Sequence, residues 1–368
     1  MLFALAMAGC SGDHSALAPT GGGSGTSTTG SGAAGGGTTT TGGSGGSGGD
    51  TTSSTSSMGG AEPTGPTKLT VVNGINDYPA IRVCFQPYPS GPSVDPWPAS
   101  PSGLPFHESV VVDPPSSIAP FGDVQVFVIG GDLTAIAGKS CDEALALANE
   151  GGGGGSGGAA GGGAGGAGGG APPIVVSAMP VIPQAVFSSE RSLLLVFFGC
   201  MGGPGHDDAS ATLGCGFTYS AATPTASLTL VSMSRKTEPT AIAMQFVHAS
   251  AALQPSDVRF TPGFDGALDI PAAYNLSLGG LAPKPPFFGM ARADFGDLSK
   301  AAIKTYAPND IYPTSALFVQ DAFVNGGVKD PEFVDGSAYT FIAIGGYPGV
   351  VAQSFWRAFT FTMVKSDP

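Results

Sequence analysis

The residues with the clearest chemical potential form a His-Asp-Asp run, His206, Asp207 and Asp208, within the Gly-rich segment CMGGPGHDDASATLGC. An imidazole and two carboxylates are groups that bind divalent metal ions. Side chains of consecutive residues diverge, however, so this run needs residues from elsewhere to surround an ion. We therefore interpret it as a solvated loop tip and keep its three residues as weak candidates for ligand contact.

A second histidine, His248, follows the apolar pair Phe246-Val247 and precedes a predicted turn. Ser250 and Asp257 lie close to it in sequence, so the imidazole could serve as a general base. The same position suits a histidine that is held by internal hydrogen bonds. We predict this structural role for His248 and keep it among the weak ligand candidates.

Aromatic residues are concentrated near the C-terminus, at Tyr347, Phe355, Trp356, Phe359 and Phe361. We predict that most of them belong to the core of a last strand. The alternative is a platform on which sugar rings stack, because aromatic faces provide large apolar contact areas. In that interpretation Trp356 and Tyr347 are the exposed rings.

Several catalytic patterns occur without the elements that would position them. GxSxG is present at Ser44, Ser47 and Ser156, but each lies in a Gly/Ser repeat that cannot form the strained strand-to-helix turn of a nucleophile. Gly138-Lys139-Ser140 resembles the end of a phosphate-binding loop, yet Leu133 stands where that loop requires glycine. The sequence therefore assigns no catalytic residue, no metal site and no cofactor.

Four cysteines, Cys84, Cys141, Cys200 and Cys215, indicate two disulfide bonds in an exported chain, with three possible pairings. Cys200 and Cys215 bracket a short loop, which favours their pairing and leaves Cys84 with Cys141. Strand alternation places Cys84 on the solvent face, so this bridge would attach the segment Asp142–Glu150 to the outside of a sheet. Zinc binding is disfavoured because no close CxxC pair exists.

The chain begins MLFALAMAGCSG, an apolar run that ends in two small residues and Cys10. It resembles the lipobox of bacterial lipoproteins, with residues 1–10 forming the signal. The resemblance implies that Cys10 is lipidated and becomes the anchored N-terminus, in contact with a lipid bilayer. Ser11 after the cysteine implies the outer membrane of a Gram-negative bacterium.

Composition separates the chain into folded and unfolded parts. It contains 60 Gly and 32 Pro, yet 42% of it is hydrophobic and only 11% charged, which indicates globular modules joined by unstructured segments. Residues 11–65 are predicted to be a disordered tether, and 151–171 a disordered Gly-rich loop. The net charge of -13 argues against nucleic-acid partners. No apolar run reaches the roughly 18 residues of a membrane-spanning helix.

Past the tether, two parts of the sequence repeat each other at matched spacing. LTVVNGINDYPAIRVCF, beginning at Leu69, aligns without a gap on MQFVHASAALQPSDVRF, beginning at Met244. Three further pairs follow in the same order: Phe121–Asp123 with Phe295–Asp297, SLLLVFFG ending at Gly199 with AYTFIAIG ending at Gly345, and Leu228–Leu230 with Phe359–Phe361. The matches predict two tandem copies, residues 66–238 and 239–366.

The repeated segments have the period of β-strands. Apolar residues alternate with other residues in Val124–Val128 and in Phe359–Met363, which predicts strands buried on one face. The clearest helical segment is Asp142–Glu150. We therefore predict an all-β protein with two tandem antiparallel β-sandwich, immunoglobulin-like domains after the tether, with an open barrel as the alternative.

The second copy resembles a known bacterial family. Its segments FVHASAALQPSDVRFTPG and GSAYTFIAIGG are similar to an extracytoplasmic β-sandwich domain of unknown function, whose repeats open with a VHASPDAPxVDV-like pattern. The matching residues are His248, Ala249, Ser250, Asp257 and Val258. The resemblance implies a sandwich fold and export from the cytoplasm, and it implies no particular activity.

These observations predict a non-catalytic cell-envelope lipoprotein that presents binding or structural modules. Its expected partners are the bilayer, through Cys10, and an envelope polymer or another protein. One alternative is an exported hydrolase acting on cell-wall or matrix polymer, which would need a convergent Ser, His and Asp or a pair of carboxylates. Another is a passive spacer. Acidic residues such as Asp265, Asp269 and Asp335 could also bind calcium weakly.

Overall fold

Alternating burial along the strands reflects the period-2 pattern of the sequence. In Val124–Gly130, Val124, Val126 and Val128 are buried, whereas Gln125 and Phe127 are half-buried. The computed structural model describes residues 67–151, 173–187, 191–207, 209–284, 287–349 and 356–366. Its strands form several sheets that pack as sandwiches, which confirms the predicted all-β class. The predicted signal and tether, and nearly all of the predicted Gly-rich loop, lie outside the described residues.

Within its described residues, the first half contains eight strands and three short α-helices. The strands are β1 (Leu69–Ile75), β2 (Ala80–Pro87), β3 (Leu104–Pro105), β4 (Ser109–Val112), β5 (Val124–Gly130), β6 (Val175–Ile182), β7 (Ser192–Gly199) and β8 (Ser227–Met233). The helices are α1 (Cys141–Gly151), α2 (Gln184–Phe187) and α3 (Ala211–Cys215), with 3-10 turns at Pro115–Ile118 and Leu133–Ile136. The helix predicted at Asp142–Glu150 is confirmed as α1. It begins beside a capping box in which Ser140 and Glu143 exchange backbone and side-chain hydrogen bonds.

The part of the second half that the structure describes contains nine strands and one α-helix. The strands are β9 (Ile242–His248), β10 (Ser256–Thr261), β11 (Ile270–Leu276), β12 (Leu281–Ala282), β13 (Phe288–Met290), β14 (Ala302–Tyr306), β15 (Pro313–Phe318), β16 (Ala338–Ile344) and β17 (Thr360–Lys365). The helix is α4 (Val319–Gly326), with 3-10 turns at Arg292–Phe295 and Asp330–Glu332. Across the described ranges, no helix has the length and apolar character needed to cross a membrane.

Each half is a two-sheet sandwich, and the two halves have the same strand order. The first half has sheets β4-β1-β7-β8 and β3-β2-β5-β6. The second has β12-β9-β16-β17, with β13 also on β9, and β11-β10-β14-β15. β1 with β7 and β9 with β16 are parallel, so the predicted antiparallel pairing needs correction at these two central pairs. Two parallel neighbouring strands must be joined by a long crossover connection. In each half this connection contains the strands of the outer sheet, which lie in sequence between the two parallel strands of the inner sheet.

The two sandwiches stack face to face through their inner sheets, so the body has four β layers. Each sandwich has its own apolar core, and a third buried cluster, which includes Val72, Val196, Val247 and Ile342, joins the two inner sheets. The sheets approach closely at Gly74, where a Cβ atom would lie 2.7 Å from Ile344 Cγ2. This interface buries the inner sheets on both faces.

Burial on both faces changes the interpretation of the last strand. The sequence pattern places Thr360 and Thr362 on a solvent face, but Thr362 is 0% exposed. Its face packs against the first half, and its Oγ1 donates to the His107 carbonyl at 2.9 Å. The prediction of burial on one face is therefore wrong for this strand, because a second sandwich covers the other face.

Strand register refines the alignment of the two halves. Val196 of β7 pairs with Thr229, and Ile342, at the matching place in β16, pairs with Thr362. Thr229 therefore corresponds in space to Thr362, two residues beyond the Thr360 of the sequence alignment. A two-residue offset keeps every side chain on the same face, so the pattern alone could not detect it.

Candidate functional site

The candidate site lies at one end of the stack, where the chain leaves the carboxyl ends of β1, β7, β9 and β16. We call this region the loop end; it comprises residues 76–79, 200–207, 209–226, 249–255, 345–349 and 356–359. Asn76 joins two of its segments, because its Nδ2 donates to the Gly214 carbonyl and its Oδ1 accepts from the Arg357 N–H at 2.8 Å. The loop end therefore links the two halves of the body.

Asp77 fixes the segment after β7 to the end of β1. Its carboxylate is buried and accepts the backbone N–H groups of Met201 at 3.0 Å and Gly202 at 2.8 Å. It also lies 3.1 Å from Nδ1 of His206, which must donate because an ionised carboxylate only accepts. Tyr78 adds a bond from its hydroxyl to the Gly202 carbonyl at 2.7 Å. Burial and the nearby Asp77 raise the pKa of Tyr78, so it remains a neutral donor.

Trp356 lies at the centre of the loop end and is 0% exposed. The rings of His206 and Tyr219 meet it edge-on at 5.8 and 6.0 Å. A Cβ atom at Gly214 would approach the indole to 2.9 Å, so this position needs glycine. The predicted bridge Cys200–Cys215 belongs to the same buried cluster. Trp356 is therefore not the exposed ring that a sugar platform requires, because the disulfide-closed loop covers it.

The same loop accounts for the other residues of the His-Asp-Asp run. His206 is 5% exposed, so its prediction as part of a solvated loop tip is wrong. The loop folds back toward Asp77 and turns the imidazole inward. Asp207 is exposed, as predicted for a loop tip, and Asp208 lies outside the described residues.

The pair of His206 and Asp77 reproduces two parts of a catalytic triad, an imidazole and the carboxylate that orients it. A substrate would have to reach the imidazole, which lies between the rings of Tyr78 and Trp356 at 5.0 and 5.8 Å. This burial suits a pair that fastens a loop to a strand end.

His248, at the end of β9, is also buried and engaged internally. Its Nε2 lies 3.1 Å from the Gln254 carbonyl and therefore donates, while Nδ1 accepts from the Ser250 N–H at 3.4 Å. Burial lowers the pKa of His248 below its ordinary value, although the bond to Gln254 opposes this effect. The neutral imidazole thus holds the turn between β9 and β10. Ser250 completes the turn by donating from Oγ to the Gly345 carbonyl at 2.7 Å.

Tyr347 is the sugar-stacking candidate that reaches the surface, with 37% of the residue exposed. Its backbone N–H donates to the Leu213 carbonyl at 2.6 Å, which ties the segment after β16 to helix α3. Leu213 and Phe217 of the neighbouring loop are also exposed. The loop end therefore has apolar side chains on its surface, while its ionisable pair is buried.

The second predicted disulfide, Cys84–Cys141, joins β2 to the first residue of α1. Both cysteines are fully buried together with Ile129, Ile136 and Ala144. This cluster is separate from the main core of the sandwich, so α1 lies on the outer face of its sheet. The predicted bonds and their pairing are confirmed.

A polar cluster on the outer sheet of the second half was not anticipated from the sequence. Asp269 accepts hydrogen bonds from Thr261 at 2.6 Å, from Lys304 at 2.9 Å and from the Tyr306 hydroxyl. Burial alone would raise the pKa of Asp269, but these bonds lower it overall. Burial and Asp269 raise the pKa of Tyr306 to about 12. The guanidinium of Arg259 covers the Tyr306 ring at 4.1 Å, so the cluster is closed.

The three aspartates considered for calcium do not form one site. Asp269 binds Lys304, and Asp335 accepts the Arg292 N–H at 2.6 Å. Within the described part of the chain, no group of three or more His, Cys, Asp or Glu residues could hold a metal ion.

An open groove of about 490 Å³ runs along the N-terminal part of β8, beside the loop end. It is lined by Phe198, Thr218, Pro224, Thr225, Ser227, Leu228, Thr229, Ala251, Leu278 and Gly279. All of these residues are uncharged. Two of the hydroxyl groups in the groove donate hydrogen bonds within the protein. Thr225 donates to the Cys215 carbonyl at 2.8 Å, and Thr229 donates to the Gly279 carbonyl at 2.7 Å.

Comparison with known proteins yields no match, either to the models of protein families or among curated protein sequences.

Proposed function

We propose that this chain is a non-catalytic cell-envelope lipoprotein, anchored through Cys10, that holds a binding surface away from the membrane. The observation that carries the proposal is the direction of β1. This strand begins at Leu69, next to the predicted tether, and ends at the loop end, about 23 Å away at roughly 3.3 Å per residue. The attachment point of the tether and the loop end therefore lie at opposite ends of β1.

Two further features support the proposal. Disulfide bonds persist in oxidising compartments outside the cytoplasm, and both bonds of this chain are well buried. The histidines His206 and His248 have structural bonds, which favours binding over hydrolysis. We propose an envelope polymer or protein as the partner, and a passive spacer is the function left if nothing binds.

The anchor is tested by replacing the lipidated residue. The complete chain and its Cys10→Ser variant are produced in a Gram-negative host that is fed an alkyne-labelled palmitate. We expect the wild-type chain to incorporate the label and to sediment with outer membranes, and the variant to do neither. Ser11→Ala, which keeps the cysteine, serves as the matched control. An unlabelled wild-type chain, or a Cys10→Ser variant that still carries the label, would contradict the proposed anchor.

A further inference from the structure

The edge strands of the four sheets differ in how they are protected. An edge strand leaves alternate N–H and C=O groups unpaired, and proteins protect such edges by short length, proline, charge or a covering element. β3 and β12 have two residues each, and β4 has four. β6, β11 and β15 contain Pro180, Pro271 and Pro313. Six of the edges are therefore poor templates for a further strand.

The edge strand β17 is covered by a helix. Asn325 of α4 donates through Nδ2 to the Phe361 carbonyl at 2.9 Å and to Thr360 Oγ1 at 2.6 Å. The α4 backbone also lies against β17 at Gly326, where a Cβ atom would be 2.0 Å from the Met363 carbonyl oxygen. The strand ends with Lys365, a charged residue. This edge is therefore occupied by the chain itself.

β8 holds the corresponding place in the first half, and among the described residues it has none of these protections. Its seven residues, Ser227–Met233, include no proline and no charge. In the part of the chain that the structure describes, β8 pairs only with β7. Most residues of β8 are half-buried. Helix α2 has the same position in the order of elements as α4, but it does not cover the edge strand. It packs near the 3-10 turn Pro115–Ile118, where Gln184 Nε2 donates to the Ala119 carbonyl at 2.9 Å.

The uncharged groove lies beside this edge. Ser227, Leu228 and Thr229 of β8 form one wall, and Leu278, which is 46% exposed, stands on the other. A strand added to β8 would direct alternate side chains toward the groove, as in other strand-addition complexes. A charged side chain there would lose hydration without gaining an opposite charge, so an uncharged segment is favoured.

We propose that the edge of β8 is a strand-addition site for an extended, uncharged peptide segment of a partner protein. The proposal rests on the proposed binding function and deepens it by naming the surface and the class of partner. An extended backbone supplies both the donors and the acceptors that an open strand edge can pair with. Small apolar and hydroxyl side chains match the lining of the groove.

The test uses the full-length chain carrying Cys10→Ser, so its result does not depend on lipidation. An mRNA-displayed library of nine-residue peptides is selected against the immobilised chain, and the recovered peptides are studied by fluorescence anisotropy and amide hydrogen exchange. We expect uncharged sequences that slow exchange of the β8 amides. A selection that recovers no peptide, or peptides that protect other strands, would overturn the proposal.

Charge-introducing variants make the test specific. Ser227→Lys and Leu278→Lys place a cation in the groove, and we expect each to weaken peptide binding by about tenfold or more. Ala316→Lys, on the exposed edge strand β15, is the matched control and should leave affinity unchanged. Equal binding by all three variants would place the peptide elsewhere.

Two other occupants have distinct signatures. A concentration-dependent dimer in sedimentation that Ser227→Lys dissociates would assign the edge to a second copy of the chain. If deletion of residues 11–65 increased β8 amide exchange in the unbound chain, the edge would belong to the chain's own tether. Either result overturns the partner-peptide assignment.

Discussion

The two halves of the body have the same strand order but are stabilised by different interactions. The first half contains both disulfides, Cys84–Cys141 and Cys200–Cys215. The second half has no cysteine and instead packs phenylalanines around Phe260, whose ring centroid lies within 6.0 Å of four others. One topology can therefore be supported by covalent closure or by aromatic packing.

The halves also fasten equivalent turns with different residues. Asn73 and His248 hold matching positions after the alignment of β1 on β9. Asn73 accepts the Ile75 N–H at 2.9 Å and donates to the Leu104 carbonyl at 2.8 Å, and His248 makes the same kind of pair with Ser250 and Gln254. The side chain at this position must accept a hydrogen bond from the backbone N–H two residues later. It must also donate one to a backbone carbonyl farther along the chain. Either side chain supplies both.

The largest effect should come from removing the aromatic centre of the second half. Phe260→Ala deletes a fully buried ring, and we expect a loss of about 3–5 kcal/mol in the free energy of unfolding. Phe85→Ala, at the matching place, should cost less, because in the described part of the chain its ring neighbours one other aromatic ring, that of Trp97 at 6.3 Å. Urea denaturation of both variants measures the difference. Equal losses would show that the aromatic cluster is not specific to the second half.

Removing the short disulfide tests the covalent support of the first half. The double variant Cys200→Ala/Cys215→Ala opens a loop of 15 residues, and we expect about 3 kcal/mol of destabilisation. Because Trp356 packs in the same cluster, its fluorescence should also shift toward that of an exposed indole. A stable variant with unchanged tryptophan emission would contradict the assigned role of the loop.

Exchanging the turn residues tests their equivalence. His248→Ala leaves the Gln254 carbonyl and the Ser250 N–H without these bonds, and we expect a loss of about 1–3 kcal/mol. His248→Asn should recover much of this loss, because asparagine performs the same task at position 73. Thermal and urea unfolding of both variants provide the measurement. Failure of the Asn variant to exceed the Ala variant would break the comparison.

The same residue should give the second half a pH dependence. The pKa of His248 is lowered in the folded state, so below its ordinary value of about 6.5 the unfolded chain binds the proton more readily. This contribution to stability is complete above that pH and is lost as the pH falls toward the folded-state pKa. Unfolding curves between pH 7.5 and 5 should show the decline in the wild type, and His248→Asn should reduce it. An unchanged slope in the variant would assign the pH dependence to other groups.

The smallest effect concerns the covered edge. Asn325→Ala removes the two hydrogen bonds to β17, at a cost of about 1 kcal/mol. The amides of β17 should then exchange faster and approach the behaviour of β8. Hydrogen exchange measured by mass spectrometry checks this, with Gln320→Ala on the exposed surface of α4 as the control. No change in β17 exchange would mean that α4 covers the edge without these bonds.

Much of the fold could be predicted because it depends on local patterns. Alternation identified strands such as Val124–Gly130, and the helical period identified α1. The short spacing of Cys200 and Cys215 favoured their bond, and the remaining pair followed. The internal hydrogen bonds of His248 were also predicted, since its turn lies within a few residues.

The loop end could not be predicted, because it is assembled from residues that are far apart in sequence. Asp77 and His206 are separated by 129 positions, and nothing in the segment GHDD indicates a buried carboxylate beyond it. Trp356 is covered by a loop from the other half of the chain. The edge of β8 is open because helix α2 packs elsewhere in the fold. The four residues of α2 do not by themselves indicate where the helix packs.

The sequence by itself determined strands such as Val124–Gly130, the helix α1, the disulfides and the all-β class, because periodicity and cysteine spacing act over short stretches of chain. Only the tertiary structure decided that the two sandwiches stack through their inner sheets, that Trp356 and His206 are buried, and that β17 is covered whereas β8 is open. Burial of a face or an edge depends on what the rest of the chain places against it, and that information is absent from any single segment.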